Sequence, residues 1–549
     1  MAYDIVIKGG RIVDGTGGPL FRGDVAIGGE RIVRVGRVDQ IEADEVVDAR
    51  GLVVSPGFID IHSHSDFTLL ENPQADSFVR QGITTVINGN CGFSAAPFNE
   101  VGRGILEKVM GVELSWRSTA EYFSRLEERG MAINAGTFTG LTNLLVSAMG
   151  LDAWDRAPTS DEMEMMKEML AQALREGSFG LSSGLEYDPQ PLVETELLVE
   201  LCRVMAEHGG IYATHVRSRD VQVVAAAEEA AAIGERAGVP VEGVHWGARF
   251  PSDGKTVHIV EIVEAARERG VDMAFNQVPW TIDENGIGWC GCSLIEPITM
   301  GSEYTKKGGR VTLEMLKDRG VVEHLRRDLP NRQYGPILAG RRGLLDSWDR
   351  VLLAHCEKSP QFNGRSLREI GDSMGKDPFD ALIDILVADG EDFERVWGAV
   401  GITSLWDTEA SLLHPDCSVT IDSANDSTSG PLSERPIGES TTRAYGQLPY
   451  FFRKWVVEDR VLSLEDAVRK CTGLPSQRVR LMDRGLLRPG MRADVVVWDP
   501  MRVKNNATWE NPRRYPDGIH RVMVNGAIVV EDNVHTGVLG GESLRLAGA

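Results

Sequence analysis

Between residues 58 and 423, short β-branched apolar runs alternate with segments of helical spacing, and few folds accept that rhythm. The runs are FIDIHSH (58 to 64), TTVING (84 to 89), INAGTFTG (133 to 140), FGLSSG (179 to 184), GIYATHV (210 to 216), VPVEGVH (239 to 245), VDMAFNQV (271 to 278) and CSVTIDS (417 to 423), eight in all. Segments such as SDEMEMMKEMLAQALREG, TELLVELCRVMAEHGG and VVAAAEEAAAIGERAG lie between them, each closing on glycine as a helix C-cap does. Eight strands alternating with helices predict an α/β fold, a (β/α)8 TIM-like barrel, with its active site at the C-terminal ends of the strands. The rhythm breaks once. Roughly 140 residues separate the seventh run from the eighth, more than a barrel helix needs, so an insertion at about 280–416 is expected to form a lid.

The two ends of the chain share a different texture. YDIVIK (3 to 8), RIV (11 to 13), DVAIG (24 to 28) and RIVRV (31 to 35) are short β-rich runs between glycine turns, and ADVVVW (493 to 498) and HRVMVNGAIVV (520 to 530) repeat it. Strands this short cannot bury a face alone, so residues 1–56 and 481–549 are expected to build one small β-sandwich beside a barrel spanning 57–480. The segment LSLEDAVRKCTGLPSQRVRL (462 to 481) closes the barrel as a helix, with Ser463 as its cap.

Composition narrows the function. With 81 acidic against 58 basic residues and a net charge of -23, and without a Lys/Arg run, the chain is not expected to bind nucleic acid. No stretch approaches the roughly 18 apolar residues of a membrane span, and MAYDIVIKGGRIVDG lacks the marks of a secretory leader, so a cytoplasmic protein without a membrane partner is expected. Seven cysteines are too few for a disulfide framework at this length, and Cys290 and Cys292 in GWCGCS read as part of a loop of small residues.

Ionisable residues fall at equivalent places on this scaffold. His62 and His64 stand two apart at the end of the first run, Cys91 follows the second, His215 and His245 close the fifth and sixth, and Asp422 closes the eighth. A single strand histidine is more often a satisfied core residue, and a buried cysteine more often a small hydrophobe. Six such residues on one rim point instead to a metal cluster, which would also give a buried Asp422 its charged partner. From its surroundings alone, Cys91 can be read as ligand, core or nucleophile.

PGFIDIHSHSD, QGITTVINGNCGFSAAP, GLSSGLEYDP, EHGGIYATHVR, the HP at 414 and 415 with Asp422 after it, RAYGQLP and GLLRPGMRADVVVWDP together resemble the N-acyl-D-amino-acid deacylases (D-aminoacylases) of the amidohydrolase superfamily. The resemblance runs nearly end to end. It implies a zinc-dependent hydrolase of a linear amide, with Cys91, His215 and His245 holding the tighter zinc. It also implies that His62 and His64 serve a second, weaker metal position and that Asp422 acts as general base and acid. FGLSSG offers no lysine, so the carbamylated-lysine bridge of other two-metal relatives is not expected, and Cys91 is free to bridge instead. Tyr187, in GLEYDP, is implied as a hydrogen-bond donor to the substrate.

The pocket departs from the family. Where close D-aminoacylases carry a lysine two residues after the strand-six histidine, VHWGAR has Trp246 and Gly247, and their Y-P-Y is Val278, Pro279 and Trp280. Arg217, Arg249 or Arg435 could replace the lost cation, with Arg435 favoured by its place in the loop after Asp422. Without a replacement, the substrate would be an amide lacking a free α-carboxylate, and Trp246, Trp280 and Trp289 would suit a bulky apolar group. A cyclic-amide hydrolase and a catalytically silent scaffold are the alternatives. A small-molecule amide is the expected partner, and a homo-oligomer is left open.

Overall fold

The computed structural model describes residues 3–39, 43–329, 347–435 and 441–546, so residues 330–346 of the expected insertion lie outside it. The N-terminal strands are β1 (Tyr3–Ile12), β2 (Phe21–Gly28), β3 (Arg31–Gly36), β4 (Ala43–Asp48) and β5 (Val53–Pro56). The expected barrel runs follow as β6 (Phe58–Asp60), β7 (Ile83–Asn88), β8 (Asn134–Thr137) with β9 (Thr139–Gly140), β10 (Gly180–Gly184), β11 (Ile211–His215), β12 (Val241–Gly243) and β13 (Met273–Gln277). The insertion contributes β14 (Thr281–Ile282), β15 (Ile287–Ser293), β16 (Val351–His355), β17 (Arg365–Ser366) and β18 (Trp397–Ser404) before β19 (Cys417–Val419). The chain ends in β20 (Val495–Trp498), β21 (Ile519–Val524), β22 (Ala527–Glu531) and β23 (Val534–His535).

β6, β7 and β8 pair in parallel, and β9, β10, β11, β12, β13 and β19 continue in parallel order. A parallel bridge between Ser63 and Ser423, with His64 N donating to Ser423 O at 2.9 Å, brings the eighth run back to the first. The helices between them end as their glycines predict: Ala237 is followed by Gly238 at φ 70°, and the turn after Glu207 passes through Gly209 at φ 71°. Ser463 caps Leu464–Cys471 by accepting from Asp466 N.

Inside the ring, Ile59, Ile61, Ile87, Phe138, Phe179, Ile211 and Ala213 form one apolar cluster, joined by Leu544 and Leu546 from the C-terminal tail. The tail is tied in register by Leu544 N to Ala135 O at 2.8 Å and Leu546 N to Gly177 O at 3.0 Å. The interior is therefore a packed core and not a pore.

Strands from both termini share one sheet, because β20 pairs with β5. That sheet branches at β1, whose first half pairs with β4 and whose end pairs with β5. The insertion forms a separate five-stranded sheet with its own apolar cluster. Cys290 and Cys292 lie in β15 and not in a loop, both buried and facing β18. Phe250 N donates to Ile402 O at 2.9 Å and Thr403 Oγ1 to Ala248 O at 3.0 Å, which seats β18 on the loop after β12.

Candidate metal centre

The TTVINGNCGF stretch leaves the sheet at Asn88 and turns sharply, with Gly89 at φ 73°, Cys91 at 53° and Gly92 at 79°. Three left-handed residues in four reverse the chain, and only glycine adopts that region without cost. The turn is braced from strand β10 and the segment after it. Ser182 Oγ accepts from Gly92 N at 3.1 Å and donates to Gly89 O, while Gln190 Nε2 donates to Cys91 O at 3.2 Å. A Cβ on Gly184 would lie 2.2 Å from Cys91 O, so the absent side chain there lets the turn sit against β10.

Cys91 Sγ then stands 3.4 Å from His62 Nε2, 3.6 Å from His245 Nε2 and 3.8 Å from His215 Nδ1. His62 Nε2 is 3.3 Å from His64 Nε2, and both imidazole nitrogens are 3.2 Å from Asp422 Oδ1. His62, Cys91, His215 and His245 are buried. The donor atoms group as Cys91, His215 and His245, as His62, His64 and Cys91, and as His62, His245 and Asp422, each set lying within 4.8 Å. Cys91 is common to the first two sets. Only His215 lies within its strand; the other five follow the last ladder residue, where the chain is released from sheet geometry and can turn inward.

The electrostatics ask for a cation. Burial opposes ionisation of Cys91, yet the imidazoles of His62, His215 and His245 outweigh it and hold the thiol well below its usual range. Burial likewise opposes ionisation of Asp422, and Arg443 with His62 and His245 overcomes it. Burial disfavours a charged His62, but the charges of Cys91 and Asp422 push it up to about 9, and His64 rises well above its usual value against the same penalty. Two buried anions thus draw positive charge onto the nearest bases. Thiolate and imidazole are the borderline-soft donors that suit zinc, and their spacing lets three converge on one point, so the residues fit a zinc ion.

His215 is fixed from behind: its Nε2 lies 2.7 Å from Glu186 Oε2, which turns Nδ1 towards the cluster. Glu186 also accepts from Arg219 N at 2.9 Å and lies 3.3 Å from Arg249 Nη1, and these partners keep its carboxylate ionised against burial. Asp422 Oδ2 accepts from Arg443 Nη1 at 2.8 Å. Glu186, Arg219 and Arg443 escaped the sequence reading. Glu186 was adjacent to the selected Tyr187, and Arg219 stood in the loop after His215, but their contacts join segments far apart in the chain.

The substrate-contact candidates separate. Tyr187 packs edge-on against His215, ring centroids 4.8 Å apart, and the Trp280 ring centroid is 5.3 Å from the Arg443 guanidinium. Trp246 faces away: its indole covers Gly243, where a Cβ would lie 2.4 Å from Cδ2, and it packs near Phe275 in the main core. Arg435 is half exposed and pairs with Glu71, Arg217 bonds Glu229 at 2.9 Å, and Trp289 Nε1 donates to Asp283 at 3.0 Å.

Residues 45–276 and 435–530 match the Amidohydrolase family. The chain is 30% identical to the D-aminoacylase of Alcaligenes xylosoxydans xylosoxydans, over 100% of this chain and 98% of that protein. It is 32% identical to the N-acyl-D-glutamate deacylase of the same organism, over 96% and 93%. Among solved structures, the N-acyl-D-glutamate deacylase of Bordetella bronchiseptica, complexed with zinc and a phosphonate mimic of the tetrahedral intermediate, superposes with a TM-score of 0.77 at 28% identity, covering 99% of this chain and 100% of that one.

Proposed function

The chain belongs to the amidohydrolase family, and on that premise we propose that it hydrolyses the linear amide bond of an N-acyl-D-amino acid or a related N-acyl compound. Zinc would be held by Cys91, His215 and His245, with a second, weaker position on His62 and His64 that shares Cys91. When bound, zinc polarises a carbonyl and lowers the pKa of water from about 16 to about 7.

Asp422 is the proton carrier in this reading. Arg443 orients its Oδ2 and keeps the carboxylate ionised, leaving Oδ1 to face the histidines and accept a proton from the attacking water. Return of that proton to the leaving nitrogen is downhill, because an amine nitrogen is far more basic than a carboxylate. Tyr187, whose ring packs against His215, is the donor to the substrate's carbonyl or carboxylate in this reading, and Trp280, beside Arg443, borders the substrate; the two ring contacts support these roles. Cys91 acts as a ligand and not a nucleophile, since its sulfur faces three imidazoles.

The observation that carries the proposal is the convergence of Cys91 and three histidines on one point at the rim of a barrel. A hydrolysis screen of N-acetyl-D-amino acids against their L-enantiomers tests it. Turnover of D-compounds that disappears on chelation and returns with zinc is expected, and failure to cleave any N-acyl compound with zinc bound would remove the proposal.

A further inference from the structure

Arg219 is a buried cation with no ion pair among the described residues. It is 1% exposed, and among the described residues its Nε and Nη1 have no hydrogen-bond partner while Nη2 reaches only Gly247 O at 3.4 Å. Glu186 takes only the backbone N of Arg219 and is already engaged by His215 and Arg249. Gln277, at the end of β13, is fully buried with neither amide atom bonded among the described residues. Both side chains meet at Gly247, two residues beyond His245: a Cβ on Gly247 would lie 3.0 Å from Gln277 Nε2 and 3.2 Å from Oε1. Arg219 N also donates to Glu186, whose other oxygen holds His215, so the residue lies beside the metal cluster. A buried cation and a carboxamide left without partners are costly unless a ligand completes them.

We propose that Arg219 and Gln277 form a carboxylate-binding subsite beside the metal centre, where the guanidinium fork and the amide N–H hold a carboxylate of the substrate. The inference rests on the amide-hydrolase reading and restricts its substrate to acids. A planar guanidinium presents paired N–H groups that match the two oxygens of a carboxylate, and Gln277 adds a neutral donor beside them. The carboxylate could be the α-carboxylate of the amino acid or one on its side chain.

The test compares kcat/KM of the zinc-loaded protein for N-acetyl-D-leucine, N-acetyl-D-leucinamide and N-acetyl-D-isoglutamine, which carry an α-carboxylate, none, and a side-chain carboxylate. It adds calorimetric binding of the same compounds to the Asp422→Asn variant, which needs no turnover. At least one acid should exceed the neutral amide by about 100-fold or more, and which acid does so identifies the carboxylate. Arg219→Met should bring the acid-to-amide ratio close to one, mostly through KM, with partial recovery in Arg219→Lys. Gln277→Leu should weaken acid binding about 10-fold. A ratio unchanged by Arg219→Met, or no preference for either acid, overturns the subsite while hydrolysis stands. Acid binding that depends on Arg219 without any turnover would keep the subsite and remove the hydrolase reading.

Discussion

Cys91, His245 and Asp422 all sit on left-handed backbone, at φ 53°, 43° and 51°. Such residues cost of order 1–3 kcal/mol each and persist where the surrounding structure dictates them. Here they aim a sulfur, an imidazole and a carboxylate at one point. Asp422→Asn keeps the shape and removes the proton acceptor, so kcat should fall by about 100- to 10,000-fold with zinc content unchanged, as steady-state kinetics and metal analysis would show. Glu186→Gln leaves His215 in place but weakens the hold on its tautomer, and zinc affinity measured by competition with a chelator should drop about 10- to 100-fold. The six clustered residues were legible because strand ends are visible in the sequence and donor types are few. Arg443 was not, since its partner Asp422 is reached only when the helix Thr441–Phe451 folds back across the rim. Arg435 read as the better cation because it lies in the loop after Asp422, yet it turns outward to Glu71.

At the scale of elements, all eight expected runs become parallel strands, several shorter than their apolar runs. FIDIHSH stays in the ladder only over Phe58–Asp60 and CSVTIDS only over Cys417–Val419, because the residues beyond are drawn to the cluster. Apolar patterning reports burial, and rim residues are buried without being in the sheet, so the pattern overruns the strand. The five-stranded insertion sheet was not legible: GWCGCS, rich in small residues, becomes a strand because Trp397 and its neighbours in β18 cover those glycines. In the sheet of the two termini, Asp24 ties three pieces together, accepting from Lys8 Nζ at 2.7 Å, Gly9 N at 2.9 Å and Val38 N at 2.9 Å. Burial works against its charge, but these bonds hold the carboxyl below the usual range. A depressed folded-state pKa adds stability that is complete above the unfolded value near 3.9 and is lost as pH falls through the folded value. Asp24→Asn should therefore lower the denaturation midpoint at pH 7, and that difference from the wild type should shrink below about pH 4.

For the whole molecule, the termini meet in one sheet and the tail carrying Leu544 and Leu546 enters the barrel interior, so the ends of the chain support the same barrel whose opposite rim bears the cluster. Among the described residues, no helix is long and apolar enough to cross a membrane. The chain carries a net charge of -23, and at the cluster Arg249 and Arg443 pair with Glu186 and Asp422. The central claim is that a zinc held by Cys91 carries amide hydrolysis. Zinc per chain, measured on wild type and Cys91→Ala with turnover of N-acetyl-D-amino acids followed on the same samples, tests it most directly. About one zinc per chain or more in the wild type, with metal and turnover lost together in a folded Cys91→Ala protein, is the predicted result. A wild-type protein that turns over substrate without metal, or a Cys91→Ala variant that retains both zinc and activity, would contradict it.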